Sequence, residues 1–117
     1  MVNSRRDVLG YRIAVASKDG KVVTDHFGHC SKFIIIEVDN ENYRFIEQRL
    51  VTPPCRGGIH TKSGIEEVLT TIEDCMYILV YQIGQGAEKM ALKNNFIVIT
   101  YKGFVTDALD QIMSAHP

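Results

Sequence analysis

Apolar and polar positions along the chain fall into short blocks that change period as it proceeds. Tyr11–Ser17 (YRIAVAS) reads as a strand and is followed by the turn dipeptide Asp19-Gly20. Phe33–Asp39 (FIIIEVD) is a β-rich run that meets Tyr43–Val51 across NEN, a connection of hairpin length. Two prolines and two glycines in TPPCRGGIHTK then predict a loop over residues 52–62. Ser63 and Glu66 have the spacing of a capping box, and Ile65, Val68, Leu69 and Ile72 follow at the intervals of one buried helix face. Met76–Tyr81 is almost wholly apolar, as in a strand covered on both faces. A second helix from near Gly86 buries Ala87, Met90 and Ala91 and stops at Asn94-Asn95. Phe96–Thr100 reads as another buried strand, and a last helix from about Phe104 buries Val105, Leu109, Ile112 and Met113.

The order β-β-β-α-β-α-β-α predicts an α/β fold: a five-stranded mixed sheet with helices on its faces. A fully parallel sheet is disfavoured because NEN is too short for a crossover. With the first, fourth and fifth strands parallel, the loops after them and the TPPCRGGIH loop end on one side. His26, His29, His60, Cys30 and Cys55 then share the carboxyl rim of the parallel strands, where open α/β sheets hold ligands. Cys75 precedes the fourth strand, about 20 Å away for a six-residue strand, and reads as a small buried hydrophobe.

At 117 residues the chain fits one domain over residues 11–117 preceded by a tail over residues 1–10. Apolar content of 45% and charged content of 23% are ordinary for a soluble protein, and a formal net charge of -1 offers no broad basis for binding nucleic acid or an anionic membrane. The longest apolar runs are strand-sized, and the arginine-bearing start has no apolar core of a secretion signal. Three cysteines without a CxxC pair do not close a disulfide framework and fit a reducing, cytoplasmic setting.

The densest candidate chemistry is TDHFGHCSKF. His26, His29 and Cys30 stand at i, i+3 and i+4 and would share one side of a helical turn, while Gly28 lets the backbone approach a bulky ligand. Imidazole and thiolate suit iron, zinc, copper or iron–sulfur clusters. Cys55, beside Arg56, adds a second thiol, and His60 a third rim imidazole. No four-ligand zinc signature is present. Gly84-Gln85-Gly86 opens a helix and is either an anion-binding amide cluster or simply a tight strand-to-helix turn. The first strand carries no Asp or Glu, which argues against an acidic centre for phosphodiester cleavage, and no nucleophile elbow occurs.

On IAVASKDG, DHFGHCSKFIIIEV, PPCRGG, EDCMYILVYQIGQGA and NNFIVI, the chain resembles the dinitrogenase iron–molybdenum cofactor biosynthesis family. This is the NifX/NafY type, also found as the C-terminal domain of NifB, and the likeness spans Tyr11 to about Tyr101. The resemblance implies a ribonuclease-H-like fold without nuclease activity. It further implies a non-catalytic protein that carries an iron–sulfur precursor or finished iron–molybdenum cofactor between metallocluster donor and acceptor proteins. By position it makes His26 and His29 cluster contacts and Cys55 a thiolate ligand, whereas Cys30 stands where members often carry alanine. Together with the residue chemistry, the expected cradle is His26, Gly28, His29, Cys55, Arg56, Gly57 and Gly58, with Cys30 and His60 as further metal ligands. The alternatives are a mononuclear zinc or iron protein with a regulatory role and, behind it, thiol chemistry at Cys55.

Overall fold

The computed structural model describes residues 10–116 apart from 57, 58 and 61, and for Cys55, Arg56, Ile59, His60 and Lys62 it describes the backbone alone. In chain order the elements are β1 (Gly10–Val15), a 3-10 turn (Phe27–His29), β2 (Lys32–Asp39), β3 (Asn42–Leu50), β4 (Cys55–Arg56) and β5 (Ile59–His60). There follow α1 (Lys62–Thr71), β6 (Tyr77–Val80), α2 (Gln85–Lys93), β7 (Ile97–Thr100) and α3 (Val105–Ala115). The main sheet has the order β3-β2-β1-β6-β7, and β4 pairs with β5 in a separate ribbon. β1 runs antiparallel to β2 and β2 to β3, while β1, β6 and β7 are mutually parallel. The mixed sheet read from the hydrophobic pattern is therefore present.

Strict alternation in the central strands fills two cores, one on each face. Ala14, Ile35 and Ile78 point to one side and meet Ile65, Val68, Leu69 and Ile72 of the α1 segment and Ala87 and Ala91 of α2. Ile13, Val15, Ile34, Ile36 and Leu79 point to the other and meet Val105, Ala108, Leu109 and Ile112 of α3. Each fully buried Ile or Leu contributes roughly 1.5–3 kcal/mol. The β2–β3 turn closes at Asn40 (φ 61°), a left-handed position that asparagine tolerates. The register slips between Ile35 and Ile36, so Ile46 of β3 has no opposite partner and the strand bulges there.

Four expectations need correction. Residues 52–62 are not wholly loop, because Cys55 pairs with His60 and Arg56 with Ile59. α1 starts at Lys62, so Ser63 lies inside its first turn and not ahead of it, where the capping-box spacing put it. β7 is an edge strand and not a buried one: Ile97 is 40% exposed, and only Phe96, just ahead of it, is deeply covered. Met90 and Met113 are half-buried where full burial was expected. Among the described residues no helix is long and apolar enough to cross a membrane.

Candidate functional site

Beyond the carboxyl ends of β1, β6 and β7 the backbone keeps pairing, and this builds the rim. The Ala16 amide donates to Leu79 O (2.9 Å), and the Thr24 and Asp25 amides both donate to Ala16 O (3.2 Å each). The chain leaves β1, turns through Asp19-Gly20, and returns to lie beside the end of β6. Asp19 Oδ1 accepts from the Lys21 and Val22 amides and so fixes that turn. The Tyr81 amide then donates to Asp25 O (3.0 Å) and the Phe27 amide to Gln82 O (2.9 Å), an isolated parallel bridge that holds His26 against Gln82.

This pairing separates neighbours in HFGHC. Phe27 is fully buried and packs on Phe33, with ring centroids 6.2 Å apart, anchoring the turn in the core. His26 and His29 stay exposed, their ring centroids 6.2 Å apart and the rings inclined at 60°. The His26 ring also stacks on Tyr81, 5.4 Å between centroids and 8° between planes. Lys102 Nζ lies 5.2 Å from the centroid of the same Tyr81 ring, a cation–π contact of about 0.5–1 kcal/mol at an exposed site.

Cys30 does not share the exposed rim on which it was expected. It is fully buried in the core beside α1 and α2, and its thiol donates to Lys32 O (2.8 Å). Burial pushes the thiol up to about 12, Asp25 adding to the effect and the Lys32 contact opposing it. The i, i+3, i+4 argument assumed α-helical spacing. The turn is a single 3-10 unit with extended backbone at both flanks, His26 (φ -71°, ψ 143°) and Cys30 (φ -75°, ψ 131°), so the last residue turns inward.

The rest of the expected cradle is placed through backbone. Cα atoms of β4, which carries Cys55 and Arg56, come within 8 Å of those of the Phe27–His29 turn. Cys55 and the histidine turn thus share one end of the molecule, and His60 pairs with Cys55 across the ribbon. Gly28 lies within the turn, and Gly57 and Gly58 fall outside the described residues. Cys75 is buried at the opposite end, ahead of β6. Two residues after Gln82, Gly84 stands at the N-cap of α2 and supplies no side-chain bond to the first amides of the helix. Those donors and the helix dipole favour an anion. Among the described residues, no three His, Cys, Asp or Glu side chains converge as a closed metal cage.

Tyr81, Lys102 and the buried Asp25 are rim residues that the sequence reading missed. Asp25 Oδ1 accepts from Thr24 Oγ1 (3.0 Å) and lies 3.9 Å from Lys18 Nζ. Their only sequence signal is position: Tyr81 and Lys102 stand just past strand ends, and Asp25 directly precedes His26.

The sequence model described as "Dinitrogenase iron-molybdenum cofactor" matches residues 10–115. The FeMo cofactor biosynthesis protein NifB of Herbaspirillum seropedicae is 40% identical over 76 residues, which are 65% of this chain and 14% of that protein. The protein of the same name from Frankia alni is 35% identical over 77 residues, 63% of this chain and 15% of that one. The chain therefore corresponds to a small part of the length of these relatives. Among solved structures, the crystal structure of PH0822 superposes with a TM-score of 0.68 at 19% identity, covering 88% of both chains. The NMR structure of a Thermotoga protein named for NifB gives 0.59 at 21%, covering 89% of this chain and 88% of that one. At such identities the two structures speak for the fold alone. The match across residues 10–115 places the chain in the dinitrogenase iron-molybdenum cofactor family.

Proposed function

We propose that this chain is a non-catalytic carrier of an iron–sulfur or iron–molybdenum cofactor, or its precursor, during metallocluster assembly. The observation that carries the reading is the pair of exposed imidazoles, His26 and His29, fixed 6.2 Å apart at the rim where the parallel strands end. An anionic cluster of several atoms suits an open rim with few soft ligands and amide donors, because each protein ligand must later be given up to an acceptor. In this reading His26 and His29 bind the cluster, Cys55 supplies a thiolate, and Arg56 with Gly28, Gly57 and Gly58 allows close, charge-balanced approach. His60 is a reserve ligand on the paired strand. The match to the dinitrogenase iron-molybdenum cofactor family favours this over a mononuclear zinc or iron site. The reading assigns the chain no reaction. Its partners are the proteins that donate and accept the cluster, in a cytoplasmic setting, and we take the sheet order as ribonuclease-H-like.

Anaerobic reconstitution with iron and sulfide, or with isolated iron–molybdenum cofactor, tests the proposal through absorbance and through metal and sulfide counts. The wild type retains several metals per chain together with acid-labile sulfide. His26→Ala, His29→Ala and Cys55→Ala each weaken retention by at least about tenfold, or about 1.4 kcal/mol. Retention unchanged in all three variants removes the site, and a single metal without sulfide replaces the cluster reading with the mononuclear one.

A further inference from the structure

The carrier reading leaves unused two rim residues that the fold delivers to the same place. The β6–β7 register sets Thr100 beside Val80, and the Tyr101 amide donates to Val80 O (3.0 Å), so Lys102 emerges next to Tyr81. Gly103 (φ 154°) then turns the chain away, where an added Cβ would lie 3.1 Å from the Tyr101 ring. Its carbonyl accepts from the Val23 amide (3.0 Å), and the Val105 amide donates to Lys21 O (2.8 Å). The loop bearing Lys102 is thereby pinned to the loop that carries His26. Among the described residues no carboxylate pairs with Lys102, whose ammonium rests on the Tyr81 ring alone while the other ring contact of Tyr81 is His26.

We propose that Lys102 is a binding residue for the anionic cargo and that Tyr81 is the positioning residue that sets the ring of His26. This rests on the carrier reading for its ligand, and on ring geometry for the positioning. A surface lysine held by cation–π contact alone is a weakly committed cation. A charge-assisted hydrogen bond to a sulfide of the cargo is the stronger interaction, so an arriving anion draws the ammonium off the ring. The stack has a separate effect: by holding the imidazole plane against Tyr81 it restricts the directions in which the ring nitrogens point. That orientation is established before cargo arrives, which lowers the ordering cost of binding.

Two measurements on the full chain separate these roles. In the cargo-free protein, Tyr81→Leu removes the ring-current displacement of the His26 imidazole proton resonances, and Tyr81→Phe retains it. Anaerobic titration with isolated iron–molybdenum cofactor then shows roughly tenfold weaker binding for Lys102→Gln, a shallower dependence on salt, and recovery in Lys102→Arg. Lys102→Gln binding like wild type with the same salt dependence overturns the Lys102 assignment. Unshifted His26 resonances in Tyr81→Leu, with the fold intact by circular dichroism, overturn the Tyr81 assignment. If the wild type binds no cofactor, the carrier reading falls and the Lys102 assignment with it, while the resonance measurement still decides Tyr81.

Discussion

At the scale of single residues, four side chains within five consecutive residues divide the labour of the site. Phe27 and Cys30 face the core, and His26 and His29 face solvent. The sequence made the cluster of soft side chains visible but not which of them point outward. Spacing decides that only once the helix type is known, and a 3-10 turn with extended flanks differs from an α-helix by the direction of its last residue. Cys30 should behave as structure: alkylation of the native protein leaves it unlabelled, since burial holds the thiol at about 12 and keeps reagent out. Cys30→Ala should lower stability by about 1–2 kcal/mol through lost packing while cargo retention stays at the wild-type level. Weakened retention in a folded Cys30→Ala protein would return the sulfur to the ligand set. Phe27→Ala should cost about 3–5 kcal/mol in denaturant unfolding, because the anchor of the turn is lost.

At the scale of elements, strand order and helix faces were legible because alternation and helical spacing report burial directly. The edge position of β7 was not, because IVIT is as apolar as the buried YILV and nothing local says whether a further strand follows. The β4–β5 ribbon was hidden by the proline and glycine content around it. A further feature beyond any local pattern ties the far end of the sheet together. Asp74, in the turn before β6, accepts from Arg49 Nη1 (2.6 Å) and Nη2 (3.0 Å) on β3 and from Arg12 Nη1 (2.8 Å) on β1. The Arg49 guanidinium, aided by Arg12 and opposed by burial, holds the Asp74 carboxyl down at about 2. A carboxyl depressed in the folded state stabilises above its ordinary value of about 3.9, and that contribution is lost as pH falls through about 2. Asp74→Asn should therefore destabilise the neutral protein by about 1 kcal/mol, kept small because the carboxylate is partly exposed. The variant should also lose stability less steeply between pH 4 and pH 2. Parallel stability–pH curves for variant and wild type would show that the ion pairs contribute nothing.

At the scale of the whole molecule, one sheet joins an end tied by ion pairs to a rim where the loops converge. The helices α1 and α2 cover one face and α3 the other, which leaves the carboxyl edge of the parallel strands as the place where loops meet. The overall charge of -1 conceals this, since the cations that matter are local. Chain direction was enough to foresee that the histidine turn and the Cys55 strand share one end, and the backbone brings them within 8 Å. Side-chain selection at that end was not foreseeable, because it depends on the pairing of Asp25 and Phe27 with the extension of β6. In the proposed role the exposed imidazoles themselves hold the metallocluster. Pulsed electron paramagnetic resonance of the loaded protein, with the cluster in a paramagnetic state, tests this most directly. Nitrogen couplings of imidazole type are expected, and they disappear or change in His26→Ala and His29→Ala. A loaded protein with no imidazole coupling, or with couplings untouched by both substitutions, would contradict it.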